Sequence, residues 1–145
     1  MVSIENRKLE ELKPYPDNPR RSDKGVAAVQ RSIESFGFLN PIIIDQDDVI
    51  ICGHTRYQAA KNLSLDEVPT IKVRDLTPEQ ERAFRIVDNK VSENAEWDKE
   101  MLREELMVLK DIYDMTEYGF KQDDKELAEK IKGTNHECPR CGHQW

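Results

Sequence analysis

The sequence predicts an α+β fold: a small mixed β-sheet with flanking helices, then a C-terminal helical extension. Three observations predict it. Short runs rich in β-branched residues, Pro41 to Ile44, Val49 to Cys52 and Val68 to Val73, read as buried strands. Between and after them, apolar residues recur at helical spacing. Turn and cap residues punctuate the joins.

The elements follow in order. Ile4 to Leu12 is an extended entry with some alternation. The Pro14–Pro19 segment cannot be helical, because three prolines fix φ, remove donors and push the preceding residues to extended geometry. Asp23 caps a helix that carries Val26, Val29 and Ile33 on one face, and Gly37 closes it in a left-handed conformation. Asp45, Asp47 and Asp48 make the hairpin turn between the first two buried strands. A helix runs from His54 to about Asn62. Thr77-Pro78-Glu79-Gln80 starts the next, with Thr77 as cap, Pro78 in the first turn and Gln80 completing a capping box. Ala83, Ile86, Val87 and Val91 supply its expected buried face.

Composition bounds the class. The 145 residues suit one compact domain plus an extension, with 37% hydrophobic and 35% charged residues. There is no apolar run long enough for a membrane span and no signal-like N-terminus. Three cysteines, two of them in a Cys-x-x-Cys, do not form a disulfide framework, so a reducing cytoplasm is the expected setting. The net charge of −7 excludes the strongly basic surface of a stand-alone nucleic-acid binder. DNA binding would need a local patch or a partner.

The most informative stretch is Gly53-His54-Thr55-Arg56-Tyr57-Gln58-Ala59-Ala60. A strand ending in glycine passes at once into a helix N-terminus, where backbone N–H groups and the helix dipole favour an anion. Arg56, one turn in, adds a fork of donors that matches a phosphate. The residues point to a phosphate site.

Three further segments stand in order around it: Leu12 to Arg20, Gly37 to Ile44 and Asp88-Asn89. With them the chain resembles the ParB/sulfiredoxin superfamily over about residues 9–97. It looks most like the ParB-like N-terminal domains that occur alone or beside DNA methyltransferases in phages and mobile elements. The resemblance implies binding of a nucleoside triphosphate, CTP in the partitioning members or ATP, with Mg²⁺. The family's Gly-x-x-Pro segment is matched by Gly37 to Pro41, including Asn40, with one extra residue. Its Gly-Glu-Arg-Arg box is matched by Gly53 and Arg56, with His54 and Thr55 replacing the central pair. Its Glu-Asn metal-associated pair is matched by Asp88 and Asn89, but Val91-Ser92 stand where the following Gln-Arg would be. Arg20 is placed beside the phosphates. In sulfiredoxins the reactive Cys follows the Gly. Here Cys52 precedes Gly53, at the strand end, and reads as a structural residue. Glu34 is a second candidate carboxylate, read as solvated surface.

Asp98 caps the extension, in which Leu102, Leu106, Leu109 and Tyr113, with Met101, Val108 and Ile112, form a broad apolar face. That face is expected to pack on the domain or on a second copy of the chain. Asp123 and Glu126 suggest another helix, ending at Gly133. The tail holds His136, Cys138, Cys141 and His143 in a zinc-knuckle half. Four ligands in so short a tail would be strained within one chain, so one Zn²⁺ shared between chains or with a partner resolves the geometry. The expected divisions are 1–97, 98–133 and 134–145.

The leading expectation is a nucleotide-binding module in DNA transactions, working as a homodimer beside DNA, a methyltransferase or another phage protein. A nucleoside triphosphatase, a phosphotransferase acting on small hydroxyl compounds, and a nuclease-like hydrolase are enzymatic alternatives. An adaptor with a vestigial pocket is the third reading.

Overall fold

The structure, a computed structural model, describes residues 3–19 and 23–121, with only the backbone at Asp23. It divides into two compact units, one ending at Glu96 and the other beginning at Trp97.

The first unit is built on four strands: β1 (Ile4–Lys8), β2 (Ile42–Ile44), β3 (Ile50–Cys52) and β4 (Glu67–Lys72). Its three helices are α1 (Val26–Phe36), α2 (His54–Asn62) and α3 (Pro78–Ser92). The sheet order is β1-β4-β2-β3. β1 and β4 pair antiparallel from Ile4↔Ile71 to Lys8↔Glu67, and β2 and β3 pair antiparallel through Ile43↔Cys52. β2 and β4 run parallel, with Ile43 opposite Ile71. The sheet is therefore mixed, and the fold is α+β.

The core explains the isoleucine runs. Ile42, Ile44 and Ile50 are fully buried with Leu12, Ala60 and Val68, and Phe38, Tyr57 and Leu65 pack against them. Branched side chains fill a pleated surface well. Ala59 and Ala60 let the backbone of α2 come close to the sheet, and both are completely buried. The acidic hairpin is a turn as expected: Asp45 Oδ1 accepts the amides of Asp47 (2.9 Å) and Val49 (2.8 Å), and Asp48 takes φ 64°. Lys72 and Arg7 then pair with Asp48 at 2.8 and 3.1 Å, and the Lys72 hydrogen bond holds its carboxyl below the usual range.

Several expectations change in detail. A short 3-10 turn, Asp23–Gly25, precedes α1, so Gly25 is the N-cap rather than Asp23. Gly37 has the positive φ foreseen (83°), but its ψ of 175° is extended, so it turns the chain out of α1 without a left-handed helical cap. The α3 capping box forms with both hydrogen bonds, Gln80 N to Thr77 Oγ1 at 3.3 Å and Thr77 N to Gln80 Oε1 at 2.8 Å.

The buried face of α3 is not the one its apolar periodicity predicts. Ile86, Val87 and Val91 are 57, 51 and 61% exposed. The inward positions are Glu81, Phe84, Arg85, Asp88 and Asn89, and Arg85 is only 7% exposed. These five also recur at helical spacing, so the helix is amphipathic in two directions. The polar stripe faces the rest of the unit because Arg85 finds an aromatic ring and a strand carbonyl there.

In the second unit, α4 (Lys99–Leu109) is capped by Asp98, whose Oδ1 accepts the amides of Glu100 (3.0 Å) and Met101 (3.1 Å). The expected apolar face is narrower than its sequence: Leu106 is buried, whereas Met101, Val108 and Ile112 are exposed. A 3-10 turn, Met115–Tyr118, ends at Gly119 (φ 97°). The Trp97 and Phe120 rings pack at 6.1 Å between centroids.

Candidate functional site

β3 ends at Cys52, and Gly53 reverses the chain with φ 107° and ψ 22°. Only glycine takes that conformation without strain. A Cβ at Gly53 would also lie 3.3 Å from Ile42 Cγ1 and 3.4 Å from Ile42 Cα. The close approach to β2 and the positive φ thus both require Gly here. α2 begins at the next residue with no side-chain cap. Its first internal hydrogen bond is Tyr57 N to Gly53 O, 2.9 Å, and the amides of His54, Thr55 and Arg56 have no acceptor among the described residues.

Those residues line a cavity of about 240 Å³. Asn18 comes from the Pro-rich segment, Cys52 and Gly53 from the end of β3, Arg56 from α2, and Asp88, Asn89 and Ser92 from α3. Three of the four segments that the sequence singled out therefore meet at one place. Gly37 does not line the cavity. Asn40 and Pro41 reach it through Arg56, whose Nη1 donates to Asn40 O (2.9 Å) and Pro41 O (2.7 Å). Arg56 consequently clamps the loop before β2 while facing the cavity. Burial lowers its pKa from the ordinary arginine value, and the nearby Asp88 carboxylate pulls the other way.

The His54 side chain has a different task from its amide. Its Nε2 accepts the backbone N–H of Tyr15 at 3.2 Å, which fixes the Pro-rich segment against the start of α2. Burial, and then the charge of Arg85, push its pKa down and favour the neutral ring that this acceptor role needs. The Arg85 guanidinium stacks over the Tyr15 ring at 3.9 Å from the centroid, and its Nε points to Ile50 O at 3.4 Å. Thr55 packs beside Gly25, at the start of α1.

Cys52 is buried, and burial together with its hydrogen bond to Asp88 pushes the thiol up to about 12. A thiol held protonated is no nucleophile, which agrees with the structural reading of this residue. Asp88 has no ion-pair partner among the described residues. Asn89 Nδ2 donates to Arg85 O at 2.7 Å. Among the described residues no three His, Cys, Asp or Glu converge on one point. Asp88 and Asn89 both line the cavity. Glu34 lies elsewhere, exposed, 3.6 Å from Arg31.

Arg20 lies outside the described residues, as do His136, Cys138, Cys141, His143, Asp123 and Glu126. Sequence reasoning gave no role to Tyr15, Arg85 or Ser92. Asn18 was visible only as part of the Pro-Asp-Asn-Pro segment. Arg85 carried no signal, because an arginine in an apolar stretch of helix reads as solvated.

A family model, the ParB N-terminal domain, matches residues 2–90. The chain belongs to that family. It is 44% identical over 82 residues to the ParB-like nuclease domain-containing protein YnaK of Escherichia coli (strain K12), covering 56% of this chain and 94% of that protein. It is 33% identical over 92 residues to the stage 0 sporulation protein J of Bacillus subtilis (strain 168), covering 60% of this chain and 32% of that protein. The ParB-like domain is thus related to chromosome-partitioning proteins, but the chain spans only about a third of the length of such relatives, 29% for the probable chromosome-partitioning protein ParB of Rickettsia bellii (strain RML369-C). A solved structure of the C-terminally truncated chromosome-partitioning protein ParB from Caulobacter crescentus, complexed with CTP-gamma-S, shares the fold. Its TM-score is 0.62 at 22% identity, over 87% of this chain and 70% of that one. No described helix is long and apolar enough to cross a membrane.

Proposed function

We propose that the ParB-like domain binds a nucleoside triphosphate, CTP or ATP, by its phosphates, and that it works in DNA transactions. One observation carries the reading: amides at the start of α2 that have no acceptor among the described residues sit at a cavity that also holds Arg56 and Asp88. Amides and guanidinium attract phosphate oxygens. Asp88 repels them unless a cation stands between, so Asp88 and Asn89 would hold Mg²⁺, which supplies charge neutralisation when bound. The cavity volume of about 240 Å³ is below that of ordinary whole-ligand pockets. It suits the phosphates, with sugar and base outside; Arg20 and the Gly37–Pro41 loop are our candidates for further contacts to the ligand. The partitioning relative that shares this fold was solved with a CTP analogue, which agrees with this choice of ligand. Positioning and charge are what these residues offer the phosphates. We extend the proposal to a homodimer whose Cys138, Cys141, His143 and His136 hold Zn²⁺, with a methyltransferase or other phage protein as partner on DNA.

A second reading rests on its own observation. The side chains of His54 and Arg56 are already hydrogen-bonded to Tyr15, Asn40 and Pro41. A junction that ties strap, loop and helix together would use the same residues without a ligand, as an adaptor does. Calorimetric titration of the full chain with CTP, ATP and GTP, with and without Mg²⁺, separates the two. Saturable binding that needs Mg²⁺ and loses that dependence in Asp88→Asn supports the nucleotide site. Absence of binding by all three supports the junction.

A further inference from the structure

The second unit carries a cavity that the nucleotide reading does not use. It measures about 620 Å³ and is lined by residues between Trp97 and Lys121. Leu102 and Leu106 also line it, and Leu106 is buried. Three aromatic rings, Trp97, Tyr118 and Phe120, share the lining with three cations, Lys99, Arg103 and Lys121.

The charge pattern is the telling feature. The described residues of this unit hold four bases, the three just named and Lys110, against seven Asp and Glu side chains. Three of the four bases line the cavity and none of the seven acids does. Among the described residues of this unit, which are acidic overall, the bases are thus gathered at one largely apolar hollow. Neither Lys99 nor Arg103 takes part in an ion pair among the described residues. Trp97 packs against Phe120 with the rings tilted by 58°, yet it remains 69% exposed. An exposed indole in a concave, positive site offers a flat π surface beside cations.

We infer that this cavity is a binding site for single-stranded nucleic acid. Bases would stack on Trp97 and the neighbouring rings, and the backbone phosphates would lie against Lys99, Arg103 and Lys121. Stacking platforms interleaved with cations are how proteins hold unpaired strands with little sequence preference. An acidic peptide shares the charge complementarity, but it does not call for an exposed aromatic face. An acidic unit can bind nucleic acid only at a local cluster of bases, and this cavity is such a cluster. The inference does not rest on the triphosphate site.

The test is fluorescence anisotropy of the full chain with a labelled twelve-nucleotide oligothymidylate, an oligouridylate of the same length, a DNA duplex and a poly-glutamate peptide. Binding of either single strand, stronger than binding of the duplex, is expected. The logarithm of affinity should fall with that of salt concentration with a slope of about −2, for about three phosphates contacted. Preference between the two strands identifies DNA or RNA. Trp97→Ala should weaken binding about 5- to 150-fold. If loss of the Trp97–Phe120 contact unfolds that variant, the double substitution Lys99→Gln and Arg103→Gln, the first exposed and the second half-buried, should reduce the salt slope instead. Triphosphate titrations should be the same in both variants as in the parent chain, which separates this site from the first. Absence of binding at low salt, stronger binding of the duplex or the peptide, or binding unaltered by either change would overturn the inference.

Discussion

Arg56 has two jobs, and replacing it should reveal both. Its Nη1 satisfies two carbonyls of the loop before β2, one at an exposed bond and one at a part-buried bond. Hydrogen bonds from a charged donor are worth about 1.5–3 kcal/mol when shielded and less where water can substitute. Taking the low end for the part-buried Pro41 contact and a fraction of it for Asn40, Arg56→Ala should cost about 2 kcal/mol of stability. For a unit of this size that is a melting temperature lower by about 8–16 °C. The same substitution removes a charge-assisted contact from the phosphate cavity, which predicts a triphosphate affinity about 10- to 150-fold weaker. Arg56→Lys separates the jobs. It keeps a charge in the cavity but offers one nitrogen in place of a rigid fork, so it should restore part of the affinity and less of the stability. The assays are thermal unfolding by circular dichroism and calorimetric titration at a temperature where both variants remain folded. A melting temperature within about 2 °C of the parent in Arg56→Ala would refute the clamp. An unchanged triphosphate affinity would refute the site.

Two other outcomes are expected. Gly53→Ala should destabilise the first unit by about 1–3 kcal/mol, from its positive φ and the contact with Ile42, and a denaturation midpoint equal to that of the parent would contradict this. His54 has a pKa lowered on folding from 6.5, so the folded state binds fewer protons than the unfolded one between the two values. Stability should therefore be full above about pH 6.5 and fall as the pH drops through the folded value. His54→Gln, which retains an acceptor for Tyr15 N–H and does not titrate, should flatten that part of the profile; a slope that persists would assign it to another group.

The sequence carried the framework of this fold because its signals are local. Isoleucine runs, the Asp45–Asp48 turn, the Thr77–Gln80 box and the Gly53 junction each act within a few residues, and each appears where expected. The pairing of β2 with β4 in parallel is a long-range choice that no local signal states. The candidate site was legible in part: Gly37, Asn40 and Pro41 do not line the cavity, and Arg20 lies outside the described residues. Gly53, His54, Thr55, Arg56, Asp88 and Asn89 meet at one cavity, as a helix N-terminus and a facing helix can be made to do. What could not be read was which atoms are already occupied: the Arg56 clamp and the His54–Tyr15 bond depend on how the strap and the loop return to α2.

The failure at α3 is the most instructive. Periodicity assigns a helix face by counting apolar residues, on the premise that burial of apolar area decides orientation. In α3 that premise loses. Arg85 is buried with its charge over the Tyr15 ring and its Nε towards Ile50 O, while Ile86, Val87 and Val91 are left largely in solvent. Exposing three aliphatic side chains forfeits several kcal/mol of burial, on the order of 1.5–3 for each one fully buried. Natural sequences break their own local rules chiefly where function requires it. The exchange makes sense if α3 serves the cavity first: turning the apolar stripe inward would carry Asp88 and Asn89 away from Gly53 and Arg56, and would remove the Arg85 charge that, after burial, helps to keep His54 neutral. The orientation of α3 is thus an argument for the candidate site that is independent of any motif.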